Sequence, residues 1–430
     1  MSIKAGAILH DANGFVIDRI QSAGPGTLNI PEEKIYELGN WKTIATVRDI
    51  PDLSFDLESF DVSCEFEAVL LGIDPTTLSA NQELDLQAHI PIDIISPFKS
   101  RRNAFDIVKG LAVPYLTLER ATYRYGLRQN ATQQFTLKGD SIYYIPGQPY
   151  YQEEAYTTSK AVTGYTLGHA PIEYMEGGDS VFALCVVLVN SDTGEYRRLY
   201  HDATGVTGYS DDSLGEVTIN EALYSATNPC PTGKYNICRI VYGSEVTTDY
   251  DPETNNAGLN PSGNQVHQNV SSKPAAVRPK DIDVFIGTPG ATPVFTRMNS
   301  VQSAEINWSA QLQMDEEFGN KHYVGMDYDV PDVTGTIGVK AFDPADLWHK
   351  LSQITGVDET QVIGPELAIA VPMYVAISHP DTGEVMKTIY VPDARFKIPG
   401  LSGRIQTKLE TSFTFTSDTG AMSIFNGEMV

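Results

Sequence analysis

The chain has 430 residues, 41% of them hydrophobic, and 55 acidic against 30 basic side chains give a net charge of −25. That length allows two or three domains, and that charge excludes a protein that grips nucleic acid or an anionic membrane by attraction. The opening MSIKAGAILHDANGFVIDRI lacks the charged-then-apolar layout of a signal peptide, and no run of 18 apolar residues offers a membrane span.

In chain order, the first feature is ELGNWKTIATVRDIPD at 37–52, whose outline returns as EFGNKHYVGMDYDVPD at 317–332. Six positions are identical: Glu37/Glu317, Gly39/Gly319, Asn40/Asn320, Asp49/Asp329, Pro51/Pro331 and Asp52/Asp332. Other matches follow in order. VIDRIQS at 16–22 faces VFTRMNS at 294–300, and Phe60-Asp61 faces Phe342-Asp343. HIPIDII at 89–95 faces AVPMYVA at 370–376, IVKGLAVP at 107–114 faces VMKTIYVP at 385–392, and FTLKGD at 135–140 faces FTFTSD at 413–418. The offset stays between 278 and 282, as small loop insertions allow and chance does not. Residues 1–150 and 281–430 therefore read as two copies of one domain.

Within each copy the alternation of apolar and polar residues, rich in β-branched and aromatic types, predicts antiparallel strands. His379-Pro380-Asp381-Thr382-Gly383 predicts a hairpin turn between strands at 366–378 and 384–391. FDPADLWHKLSQITG at 342–356 predicts a helix, with Asp343 as N-cap, Pro344 at the first helical position and Gly356 at the end. The matching stretch 60–72 predicts a helix that turns Phe66, Val69 and Leu70 inward. The fold class expected is mainly β: two tandem β sandwiches or barrels, each with one flanking helix. Between them, 151–242 carries strand material (SVFALCVVLV, a turn at NSDTG, EYRRLYHD, EVTINEALY, GKYNICRIVYG) and predicts a small inserted β domain at the surface. From 243 to 280 Asn, Ser, Pro, Gly and Thr dominate, which predicts a flexible linker.

Chemistry is sparse. Asp249, Asp251 and Glu253 begin like a calcium loop, but Thr254 and Asn260 stand where Gly and Glu are needed. The eight histidines are scattered, no HxxxH or CxxC pair occurs, and no phosphate loop, dinucleotide fingerprint or nucleophile elbow is found. No enzyme, metal or cofactor is expected. The four cysteines suit free thiols in a reducing cytoplasm, although Cys230 and Cys238 flank a segment that a hairpin disulfide could close. A basic knot, Lys99, Arg101 and Arg102, lies in a loop of the first copy alone: a solvated loop tip or a dock for an acidic neighbour. The residues the copies share suit a hairpin turn and a strand stop; they hold the fold, or they let the hairpin reach a neighbouring subunit.

The run TLNIPEEKIYELGNWKTIATVRDIPDLSFDLESFDV, with the closing LETSFTFTSDTGAMSIFNGE, resembles the tube domain of tailed-bacteriophage tail tube proteins. The resemblance covers both copies and omits the insert. It implies a β sandwich with a flanking helix and a long hairpin, a structural virion protein of the two-domain siphophage kind, and homotrimeric, pseudo-hexameric rings stacked into a tube. It further implies partners at the tail tip and tail terminator, a tape measure protein in the lumen, and DNA passing without specific binding. Assembly would take place in the host cytoplasm, and no membrane is involved. An extra domain such as 151–242 would decorate the outside of the tube. The net charge then suits a lumen that repels DNA. An alternative is a virion surface adhesin or decoration protein whose β domain, with the chain's 22 tyrosines, stacks on carbohydrate.

Overall fold

A computed structural model of the chain describes residues 10–11, 20–36, 43–60, 62–99, 107–126, 130–160, 164–176, 179–202, 208–245, 277, 279–290, 292–299, 301–317, 321–340, 370–397 and 410–429. The protein is mainly β; among the described residues the one α-helix is Glu65–Leu70.

The largest sheet begins with four strands from the first segment, in the order Ile20–Asn29, Asp52–Ser59, Thr132–Gly139 and Ile107–Gly126. It continues without a break into Val301–Ser309, Asp332–Lys340, Glu410–Ser417 and Val385–Phe396 of the last segment. The ladder registers of the two quartets repeat. Leu57 faces Phe135 as Ile337 faces Phe413, and Asn29 faces Asp52 as Ser309 faces Asp332. A bulge after Ile20 recurs after Val301. A two-stranded ribbon projects from each quartet. Glu32–Tyr36 pairs with Thr43–Arg48, and Leu312–Asp315 pairs with Gly325–Tyr328, with Glu32 facing Arg48 as Leu312 faces Tyr328. Each ribbon ends on an equivalent bond: the Asp49 N–H donates to the Pro31 carbonyl (3.1 Å), and the Asp329 N–H to the Gln311 carbonyl (3.2 Å).

Two sequence pairings shift. Ile92 faces Leu116 and Val371 faces Ala394, so HIPIDII corresponds to AVPMYVA two residues out of the register expected. A slip of two keeps every side chain on its face, so hydrophobic alternation alone does not detect it. Ile20, opposite Ser59, corresponds to Val301, opposite Val339, and not to Met298.

Strict alternation sorts the sheet into two faces. Leu53, Phe55 and Leu57 point inward, while Ser54, Asp56 and Glu58 point out. The cross-strand volume is conserved by exchange: Phe55 faces Leu137 in one quartet, and Gly335 faces Phe415 in the other. A Cβ at Gly335 would come within 2.3 Å of the Phe415 ring. Both quartets close on one core, in which Phe66, Leu84, Leu118 and Phe135 join Trp308, Ile337, Phe413 and Ile424. The strand Gln82–Asp85 even completes the far sheet by pairing with Ser423–Asn426.

The helix Glu65–Leu70 buries Phe66, Val69 and Leu70 as its spacing predicts. It stops at Leu71, followed by Gly72 with φ 68°, the residue type that suits a left-handed helix end. The helix expected at 342–356 lies outside the described residues. The hairpin at 379–383 forms between Ala370–Ser378 and Val385–Phe396, with Gly383 at φ 76°.

The strand Ile107–Gly126 serves two sheets. Its first half pairs with Ile92–Lys99 and Tyr143–Ile145, and its second half with Thr132–Gly139 and Val301–Ser309. Between the halves Tyr115 sits at φ 57°, a region costly for a bulky side chain. Its N–H donates to Asp93 (2.9 Å) and its hydroxyl to the Val324 carbonyl (3.2 Å), which hold it there.

The inserted unit is a two-sheet sandwich. Gln148–Ala155, Ile237–Ser244, Ala183–Val189 and Tyr196–Leu199 form one sheet; Tyr165–Thr166, Glu216–Ile219 and Tyr209–Asp211 form the other. Tyr150, Val186, Leu188, Val217 and Ile240 fill the space between them. The outer face of the larger sheet is also covered: Tyr151, Leu184, Val187 and Val241 pack on Ile95, Ala112 and Ile145. The insert is therefore built onto the first segment rather than hung at the surface, because its sheet is apolar on both faces. Its strands reach from 148 to 244, past the expected 151–242. Of the expected linker 243–280, Gly243 and Ser244 are strand and Val277 is buried, its carbonyl accepting from the Ala131 N–H (3.2 Å). Residues 246–276 lie outside the described residues.

Candidate functional site

The solvent side of the shared sheet is polar from strand to strand. It presents Ser54, Asp56 and Glu58; Gln134, Thr136 and Lys138; Arg120, Thr122 and Arg124. It continues with Glu305, Asn307 and Ser309; Thr334 and Thr336; and Ser412, Thr414 and Thr416. Most of these follow a buried residue on their strand, Arg120 after the bulge at Glu119 being an exception, so the alternation that builds the fold also fixes most of the face. On the strands Asp52–Ser59, Thr132–Gly139, Ile107–Gly126, Val301–Ser309 and Asp332–Lys340, six described carboxylates (Asp52, Asp56, Glu58, Glu119, Glu305, Asp332) stand against three cations (Arg120, Arg124, Lys138), and on the last strand Arg395, opposite Thr416, is paired with Asp418.

The charges and amides largely answer one another across strands. Arg124 Nε lies 3.3 Å from Glu305 Oε2, and Lys138 Nζ lies 3.3 Å from Asp52 and 3.6 Å from Glu119. Thr136 donates to Asp56 (2.9 Å), and across the seam between the quartets Thr122 donates to Asn307 (2.8 Å). Among the described side chains such a surface is polar and weakly negative.

The shared hairpin residues divide. Asp49 and Asp329 close the ribbons, and the Asp49 carboxylate also accepts from the Ile50 N–H (2.9 Å). Pro51 and Pro331 precede the strands Asp52–Ser59 and Asp332–Lys340, where Asp52 and Asp332 take the first place on the polar face. Glu317 is paired with Arg197 of the insert at 3.1 Å. Glu37, Gly39, Asn40, Gly319 and Asn320 lie outside the described residues, and so do Arg101, Arg102, Asp249, Asp251 and Glu253. Lys99 ends the strand Ile92–Lys99, opposite Ile107.

Two buried ionic clusters escaped the sequence. At the first, Arg198 of the insert donates to both Asp140 oxygens (2.7 and 2.9 Å) and to Ser141 Oγ (3.3 Å). Asp140 also accepts from the Tyr323 N–H (2.9 Å) and faces His322 Nδ1 at 3.3 Å. The Arg198 N–H donates to the Val324 carbonyl (3.1 Å). One carboxylate thus ties the first quartet, the insert and the second ribbon. Burial alone would raise the Asp140 pKa; the Arg198 charge and the His322 contact outweigh it and hold the carboxyl well below its usual range.

At the second cluster Glu67 of the helix and Lys387 form an ion pair with both side chains fully buried. Tyr123 donates to Glu67 (3.0 Å), and the Lys387 ammonium lies 4.7 Å from the Tyr123 ring centroid. Burial, then the Glu67 charge, pushes the Tyr123 hydroxyl well above its ordinary pKa. The only signals for these clusters were the recurrence of Lys109/Lys387 and of Asp140/Asp418 between the copies.

Among the described residues no group of three or more His, Cys, Asp or Glu could hold a metal ion. The four cysteines are free and buried. No protein-family model matches the chain, and a comparison with curated proteins finds no match.

Proposed function

We propose that the chain is a structural subunit of a bacteriophage tail tube, with residues 1–150 and 281–430 as two copies of a tube domain fused in one polypeptide. The observation that carries this reading is the run of eight strands in the largest sheet, in which the second quartet repeats the registers of the first and continues it edge to edge. A repeat that joins its own neighbour in this way suits a ring, and two copies per chain suit a ring of three chains with six similar lobes. The polar face would line the bore. Its hydroxyls and amides, with more carboxylates than cations among the described side chains, favour passage of duplex DNA over adhesion. The ribbons at 32–48 and 312–328 would meet the next ring, the tail tip and the terminator, and a tape measure protein would occupy the bore during assembly in the host cytoplasm. The adhesin reading draws less support, since Tyr150, Tyr165, Tyr209 and Tyr242 of the insert are buried and not offered to a ligand.

Negative-stain electron microscopy of the concentrated protein tests the reading. The expected end-on averages are rings or tubes with a pore and six inner lobes. Isolated particles at every concentration, with or without a tail-tip complex, would overturn it.

A further inference from the structure

Beside the quartets, register again shows which positions of the two copies correspond. Ile95 faces Ala112 as Tyr374 faces Tyr390, and Ile145 faces Gly110 as Phe425 faces Thr388. In the first copy this face is closed: Ile95, Ala112 and Ile145 are buried against Tyr151, Leu184, Val187 and Val241 of the insert. In the second copy Tyr374, Tyr390 and Phe425 take those places and are half-buried, with Phe285 opposite Tyr374 in the strand Ile282–Gly287. Their neighbours Val284, Met373, Val375, Ile389 and Ile424 point into the core, so these rings point away from it.

Phe285 stacks on Tyr374 with ring centroids 4.5 Å apart, and Phe295 stands at 70° to Tyr374 (4.8 Å) and at 76° to Tyr390 (6.4 Å). Gly287 leaves room for this, since a Cβ there would come within 2.8 Å of the Phe295 ring. Carboxylates border the rings. Asp283 shares the face of Phe285 and is paired with Arg297. The Thr388 hydroxyl donates to the Gly427 carbonyl (2.7 Å), which brings the exposed Glu428 to the margin. Burial, then the Glu428 and Asp283 charges, raises the Tyr374 hydroxyl above its ordinary pKa; burial, then the Asp393 charge, does the same to Tyr390.

We propose that this open face of the second copy, around Phe285, Phe295, Tyr374 and Tyr390, binds a quaternary ammonium group of the choline type. Where the corresponding face meets protein it is aliphatic and dry; where it is open it is aromatic, with carboxylates at its margin. Aromatic faces and carboxylates both attract a cation and repel an anion, which excludes nucleic acid and anionic lipid as occupants. A dry protein partner like the insert would leave the phenol hydroxyls and Glu428 against an apolar surface, at a cost. A quaternary ammonium turns methyl groups to the rings and has no N–H to desolvate, so it suits half-buried rings better than the strongly hydrated ammonium of a lysine. The site is complete within one chain and does not depend on assembly into a tube.

The test uses the full chain and two probes: choline, and a neutral isostere in which a tert-butyl group replaces the trimethylammonium. Saturation-transfer NMR at about 0.15 M salt should place the choline methyls against the protein, with an upfield shift from the rings and a Kd on the order of millimolar. The isostere should bind at least about 5-fold more weakly. Tyr374→Leu keeps the charge of the face and should remove most of the upfield shift and weaken binding about 5-fold, while Glu428→Gln, at an exposed position, should weaken it about 3-fold. Circular dichroism checks that each variant folds as the parent does, and Tyr390→Leu takes the place of Tyr374→Leu if that variant does not. Equal binding of choline and its isostere would mean a merely apolar patch and would overturn the site. So would choline binding that a folded ring variant leaves unchanged, which is the general pull of an acidic chain on cations. No choline binding, or preferential saturation of cellohexaose, would overturn it as well, and none of these results bears on the tube reading.

Discussion

Arg198 offers the most direct check on how the three parts of the chain are held. Its side chain and that of Asp140 are each 1% exposed, and its guanidinium supplies two of the hydrogen bonds to that carboxylate. Arg198→Met keeps most of the apolar stem and removes the charge, leaving Asp140 with the Tyr323 N–H and His322 alone. At an effective dielectric of ~20, opposite charges ~4 Å apart attract by about 4 kcal/mol. Stranding one member of a buried pair typically costs about 3–5 kcal/mol. The expected loss is therefore about 3–5 kcal/mol by urea unfolding. Asp140→Asn in the Arg198→Met background should recover part of it, because the stranded charge is gone. Hydrogen exchange localises the effect: the amides of 321–328 should exchange faster in Arg198→Met, since the Asp140 carboxylate and the Arg198 N–H anchor that ribbon at Tyr323 and Val324. A cost under about 1 kcal/mol with unchanged exchange at 321–328 would refute the claim that this cluster ties the ribbon to the insert.

The second buried pair should behave alike: Lys387→Met leaves Glu67 enclosed without its partner and is expected to cost about 3–5 kcal/mol, while Glu67→Leu with Lys387→Met recovers most of that in the same unfolding assay. Gly335→Ala should cost at least about 1–3 kcal/mol through overpacking against Phe415, whereas Ser54→Ala, on the polar face of the neighbouring quartet, should stay within about 0.5 kcal/mol. Because the folded-state pKa of Asp140 is depressed, its contribution is complete above the unfolded value of about 3.9 and declines as pH falls below it. Asp140→Asn should therefore be less stable than the parent at pH 7 and show a flatter acid limb in stability against pH. In assembled tubes Arg120→Glu with Arg124→Glu should leave ring formation intact and lower DNA retention in a co-sedimentation assay at low salt, because both arginines lie on the exposed face.

Much of the fold was legible in the sequence because period-two alternation is a local signal. It marked the strands around 133–137 and 413–416, the turn at 379–383 and the inward side of the helix at 66–70. The recurring Asp49/Asp329 and Asp52/Asp332 read as a strand stop; Asp49 and Asp329 do follow the ribbon strands, and Asp52 and Asp332 begin the next ones, whose ladders repeat. Register was harder: HIPIDII fits its counterpart equally well two residues away, since either alignment keeps the same faces. The insert's attachment was invisible because an apolar strand such as Ala183–Val189 reads the same whether one face or both are covered. The ionic clusters were beyond reach for another reason. Asp140 and Arg198 are 58 residues apart and Glu67 and Lys387 are 320 apart, and in so acidic a chain no carboxylate announces its partner. Alternation along each strand determined what faces the core, while only the folded chain, by bringing Ile107–Gly126 beside Val301–Ser309, decided that the two quartets share one sheet. Local periodicity is written in neighbouring residues, and the pairing of strands nearly two hundred positions apart is chosen by the burial and hydrogen bonding of the whole.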